Sequence, residues 1–104
     1  MLDAAKEAVS FAAGRSRSDL DADRMLTLSL VKCIEIIGEA ANNISTPFRD
    51  KHPQVAWDDI IGMRHRLIHA YYDVNLDIVW QSVRGELPLL INVLKEIISS
   101  EHRP

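Results

Sequence analysis

The sequence predicts an all-α fold, an up-and-down bundle of four main helices that works as a dimer. Three observations lead there. Apolar residues recur at three- and four-residue intervals along most of the 104 residues, and no useful length alternates with period two. Prolines and glycines punctuate the chain between periodic segments, leaving room for short connections only. One helical segment is apolar almost all round, which requires a central place in a bundle or cover from another subunit.

The first predicted helix covers residues 2–13, with Leu2, Ala5, Val9 and Ala12 on one stripe and Gly14 as its stop. "RSRSDLDADR" reads as a polar loop in which Ser18 or Asp19 can cap the next helix. That helix, residues 21–45, is the longest. Leu26, Leu30, Ile34, Ile37, Ala41 and Ile44 form its stripe, and Met25, Leu28, Val31 and Ile36 widen it. "STPFRDKHPQVAW" breaks the pattern, although Thr46-Pro47 can open a single helical turn as cap and first residue.

A third main helix is expected from residue 57 or 58 to 71, with Asp58 and Asp59 at its positive end. "DVN" makes a turn and Asn75 caps the last helix, whose Pro88 should kink it near Arg84. Gly38 and Gly62 fall in helix interiors, where each costs on the order of 1 kcal/mol relative to alanine. Close approach of another backbone compensates such a glycine; the alternative is that it marks a helix end.

The length suits a single domain over residues 1–104. Composition is ordinary for a soluble protein, 47% apolar and 26% charged, with net charge −3 and a pI of about 5.7. That balance excludes nucleic-acid binding through a broad basic surface but not a local site. The single cysteine, Cys33, excludes an intrachain disulfide and a cysteine-based zinc site, and fits a reducing, cytoplasmic location. The N-terminus does not read as a signal peptide, and no stretch approaches the roughly 20 apolar residues of a membrane span. Trp57, Trp80 and Cys33 read as packing residues, and His52 and His102 as surface residues.

One stretch does not read as packing. "GMRHRLIHAYYDVN" puts two arginines, two histidines and two tyrosines into the nine positions 64–72. On an ideal helix His65, His69 and Tyr72 share one stripe, and Arg64 and Tyr71 the neighbouring one. Arg64 and His69 then lie roughly 140° apart. Either the helix distorts toward its end or two copies assemble the site around a symmetry axis. On residue types alone the arginines are also ordinary surface charges and His69 an ordinary hydrogen-bonded histidine.

"RHRLIHAY" fits R-x4-H-x-Y through Arg64, His69 and Tyr71, and resembles the HepT branch of the HEPN ribonuclease superfamily. "CIEIIGEAAN", "HPQVAWDDIIGMRHRLIHAYYDVN" and "DIVWQSVRGELPLLINVLKEII" resemble it in order and spacing, so the likeness covers about the whole chain. The departure is His65, where the family commonly has asparagine. The resemblance implies a helical homodimer or higher oligomer whose two motifs meet at the interface to cleave RNA. It further implies a toxin partnered by a minimal nucleotidyltransferase antitoxin that transfers AMP to Tyr71.

Arg64 and His69 are thus the candidate catalytic residues, with His65, Glu35 and Glu39 in support. Histidine exchanges protons near neutrality and arginine holds charge on a phosphate. Glu35 and Glu39, at i and i+4, either pair with a basic motif residue or form a metal site with His65 and His69. The Glu-x-x-His pairs of carboxylate-bridged metal bundles are absent, so no metal and no cofactor is expected. The competing function is a non-catalytic helical subunit that binds a nucleotidyltransferase through the same residues.

Overall fold

The computed structural model describes residues 1–70 and 73–101, apart from the side chains of residues 64, 67–70 and 73. Seven helices carry nearly all of it: α1 (Leu2–Ala12), α2 (Asp19–Ala22), α3 (Arg24–Asn42), α4 (Thr46–Lys51), α5 (Trp57–Leu67), α6 (Leu76–Gln81) and α7 (Leu87–Glu101). A π-helical turn, Ser82–Glu86, joins the last two into one run, so four long helical pieces form the body. Among the described residues none of the helices is long and apolar enough to cross a membrane.

Helix α1 packs through alanines. Ala4, Ala5, Ala8 and Ala12 are buried against α3 and α7, because small side chains let the axes approach. Gly14 then turns the chain at φ +72°, a conformation glycine enters without strain. Asp23 caps α3, its carboxylate accepting the Leu26 N–H at 3.1 Å, so the helix starts three residues later than its apolar pattern predicts. The predicted stripe is the core: Leu30, Ile34, Ile37 and Ala41 are fully enclosed between α1 and α5. Each of the leucine and isoleucine side chains contributes about 1.5–3 kcal/mol on burial. The wider apolar band divides. Val31 is buried, whereas Met25, Leu28 and Ile36 are exposed, Met25 at 80%.

Ser45, not Thr46, caps α4, with Pro47 in its first turn. His52 is not a surface residue. It is buried, with Nε2 3.0 Å from Glu101 Oε1, while its carbonyl accepts the Trp57 indole N–H at 3.0 Å. Asn75 caps α6 as expected, accepting from the Ile78 N–H at 3.1 Å.

Two expectations change form. Pro88 has no N–H for the Arg84 carbonyl, and the chain answers with the π turn, in which the Leu87 N–H donates to Ser82 O five residues back. The third main helix ends at Leu67 rather than 71. Ile68–Ala70 (β1) is extended and pairs antiparallel with Asp73–Val74 (β2), with Ile68 opposite Val74 and Ala70 opposite Asp73. Backbone pairing across a short ladder replaces the last helical turn, since Ile68 suits a strand as well as a helix.

Candidate functional site

Helices α3 and α5 create the site by crossing closely. At Gly38 an added Cβ would lie 3.4 Å from the Ile60 carbonyl oxygen and 3.6 Å from that of Ile61. The missing side chain is what lets α5 settle against α3 at this point. Among the described residues Gly62 has no such neighbour within 4 Å, so the expected close approach is seen at Gly38 and not there.

The crossing leaves a groove of about 230 Å³ lined by Glu35, Gly38, Glu39, Asn42, Ile61 and His65. Glu35, Glu39 and His65, expected on separate helices as a supporting group, are therefore brought together. Asn42 is the member that the sequence reading missed. Its signal was available, because Glu35, Glu39 and Asn42 are spaced i, i+4 and i+7 on one helix face. The end of α3 that carries Asn42 is fastened by Arg49, which donates to Asn42 O at 3.1 Å and Ile44 O at 3.0 Å. Glu39, Asn42 and His65 are exposed, and Glu35 is half-buried.

Arg64 precedes His65 in the last turn of α5, and His69 falls on β1 beyond the helix end. Their side chains lie outside the described residues, as do Tyr71 and Tyr72 entirely. The ideal-helix angle between Arg64 and His69 nevertheless does not apply, because the backbone changes from helix to strand between them. The helix end does depart from a straight helix, which is one of the two routes considered. His102 also lies outside the described residues.

Arg66 takes the ordinary structural role. It reaches Glu86 Oε2 at 3.5 Å and the Asp59 carbonyl at 3.4 Å on an exposed surface. Arg84 stacks over Trp80, 5.3 Å from the ring centroid. A second cleft, about 290 Å³, lies between α5 and α7, but it is lined mainly by Val55, Ile60, Met63, Leu87, Leu90 and Val93. Such a lining offers little for proton transfer or phosphate binding. Among the described residues no three His, Cys, Asp or Glu side chains form a metal-binding group.

Residues 1–97 match the family model described as HepT-like, ribonuclease HepT-like. A protein of Caldanaerobacter subterraneus subsp. tengcongensis, provisionally named as an RNase, is 44% identical over 85% of this chain and 79% of its own length. A Thermococcus cleftensis protein named as a probable ribonuclease HepT is 36% identical over 69% of the chain and 66% of its own length. A Methanocaldococcus jannaschii protein, also provisionally named as an RNase, is 31% identical over 94% of the chain and 81% of its length. No solved structure matches.

Proposed function

The chain belongs to the HepT-like ribonuclease family, and from that premise we propose that it is a metal-independent RNA endonuclease. In this reading it folds as an up-and-down bundle, acts as a homodimer with the cleavage site at the subunit interface, and is the toxin of a two-gene module in the cytoplasm. Its partner is a minimal nucleotidyltransferase, which silences it by transferring AMP to Tyr71.

The chemistry follows from the residue types. A base takes the proton from the ribose 2′-hydroxyl, whose oxygen then attacks the adjacent phosphorus. An acid protonates the departing 5′-oxygen, leaving a 2′,3′-cyclic phosphate and a free 5′-hydroxyl. Two His69 side chains, one from each subunit, serve as base and acid because imidazole holds both states near neutral pH. Arg64 binds the non-bridging oxygens with its fixed fork and stabilises the charge of the phosphorane. His65, Glu35 and Glu39 support from the groove beside Arg64. Modification of Tyr71, two residues after His69, adds a bulky anion that competes with RNA phosphate for Arg64.

The observation that carries the reading is the order Arg64, His69, Tyr71 within a family match over residues 1–97. The test is cleavage of single-stranded RNA by wild type and by His69→Ala, each with and without AMP on Tyr71. Loss of cleavage in the variant and after modification is expected. Cleavage indifferent to both would remove the proposal. A folded wild type that cleaves no RNA yet binds the nucleotidyltransferase would instead establish the non-catalytic partner.

A further inference from the structure

We infer that the groove between α3 and α5 is a base-reading subsite, selective for a guanine held by Glu39 and Asn42 beside the cleaved phosphate. The inference rests on the ribonuclease reading above, which it deepens by naming the nucleotide.

The groove is unsuited to the phosphate itself. Glu39 lines it as an exposed carboxylate, and a carboxylate facing a phosphodiester repels it. The phosphate therefore belongs on the Arg64 side, and what enters the groove is the neighbouring nucleobase. Gly38 lines the groove where α3 and α5 meet, and Ile61 supplies an apolar wall. His65 is exposed on the same groove and offers a flat ring of the kind that stacks on splayed single-stranded bases.

The polar members decide which base. An ionised carboxylate only accepts hydrogen bonds, whereas an amide both donates and accepts. Glu39 and Asn42, at i and i+3 on α3, present these two chemistries side by side. Both side chains are exposed on the groove. Guanine offers two adjacent donors, N1–H and N2–H2, to a single carboxylate, with O6 next to them for the amide N–H. Uracil has one N–H flanked by two carbonyl oxygens, which a carboxylate repels. Adenine and cytosine each offer one amino group beside a ring acceptor. Guanine alone gives the carboxylate two donors while offering the amide an acceptor beside them.

The test uses the full chain with isotope-labelled side-chain amides and two probes, guanosine 3′-monophosphate and uridine 3′-monophosphate. The guanosine nucleotide is expected to shift the Asn42 amide and His65 ring signals and to bind at least about tenfold more tightly, the worth of a good base contact. Glu39→Gln and Asn42→Ala change exposed residues, and each should remove that preference while the unfolding midpoint stays within a few degrees. In parallel, RNA oligomers differing at one position report cleavage beside each base, with preference for guanine lost in Glu39→Gln. Equal binding of the two nucleotides, or a preference that survives Glu39→Gln, overturns the subsite. Guanosine binding at Asn42 without cleavage of any RNA supports the subsite and overturns the ribonuclease reading, so the two failures are distinct.

Discussion

Gly62 and Gly38 make a matched pair of perturbations on the two helices that build the groove. Glycine in a helix interior costs about 1 kcal/mol relative to alanine, through backbone freedom lost on folding. At Gly62 an alanine Cβ would meet nothing within 4 Å, so Gly62→Ala should recover nearly all of that. For a chain of this size about 1 kcal/mol raises the midpoint by about 4–8 °C. At Gly38 the same gain is offset by contact with the Ile60 oxygen at 3.4 Å and the Ile61 oxygen at 3.6 Å. Those are ordinary van der Waals separations at their tight edge, so Gly38→Ala should lie between no change and the Gly62→Ala value. Thermal unfolding followed by circular dichroism, at several protein concentrations, measures both. A Gly62→Ala variant less stable than wild type refutes the assumption that this position is open. If the loss grows with concentration, the missing neighbour is a backbone of a second copy.

Two further outcomes concern charge. Asp23→Ala removes the α3 cap and the 2.7 Å bond from Arg15, and should lower the midpoint of urea unfolding. The Arg15 guanidinium, then the Leu26 N–H, hold the Asp23 carboxyl below the usual range. Its contribution is therefore complete above about pH 4 and disappears as pH falls toward that lowered value. At the other end of the chain, Lys51 and then His52 hold Glu101 below the ordinary carboxylate range. That contact likewise stabilises above the ordinary pKa and is lost as pH drops through the lowered one. Glu101→Gln should flatten the acid limb of stability below about pH 4.3, and an unchanged limb would show that the Glu101 contact does not form in solution.

What could be read from the chain follows from which contacts are local. Helix α1, the Asn75 cap and the acidic first turn of α5 depend on neighbours in sequence, and all are legible. The start of α3 was harder, because Ser18 and Asp19 are plausible caps, whereas the cap is Asp23, whose carboxylate accepts the Leu26 N–H. The burial of His52 depends on Glu101, 49 residues away, so a proline-bounded loop gave no hint of it. The end of α5 was the consequential miss. Leu67, Ile68 and Tyr71 keep helical spacing, and nothing at 68 breaks a helix. Pairing of Ile68 with Val74 is a contact that periodicity does not encode. Within the candidate site, Glu35, Glu39 and His65 were legible as a group. Asn42 joins that group only once α5 is seen packed across the same face of α3.

The change of backbone after Leu67 also alters the argument for a second subunit. The angle between Arg64 and His69 no longer requires one, because a strand and not a helix carries His69. Other features now bear on it. Met25, Leu28 and Ile36 are exposed on α3, and on an ideal helix they fall within about 80° of one another, with Glu39 inside the same arc. A second copy seated on that apolar face would abut the groove without filling it. Gly62 lies on α5, across the same crossing, with open space where its Cβ would be. The chemistry asks for the same thing independently. Cleavage needs a base and an acid together, and each chain supplies a single His69. In the proposed mechanism a partner that meets the edge of the groove would contribute the second imidazole, independently of the helix geometry that first suggested it.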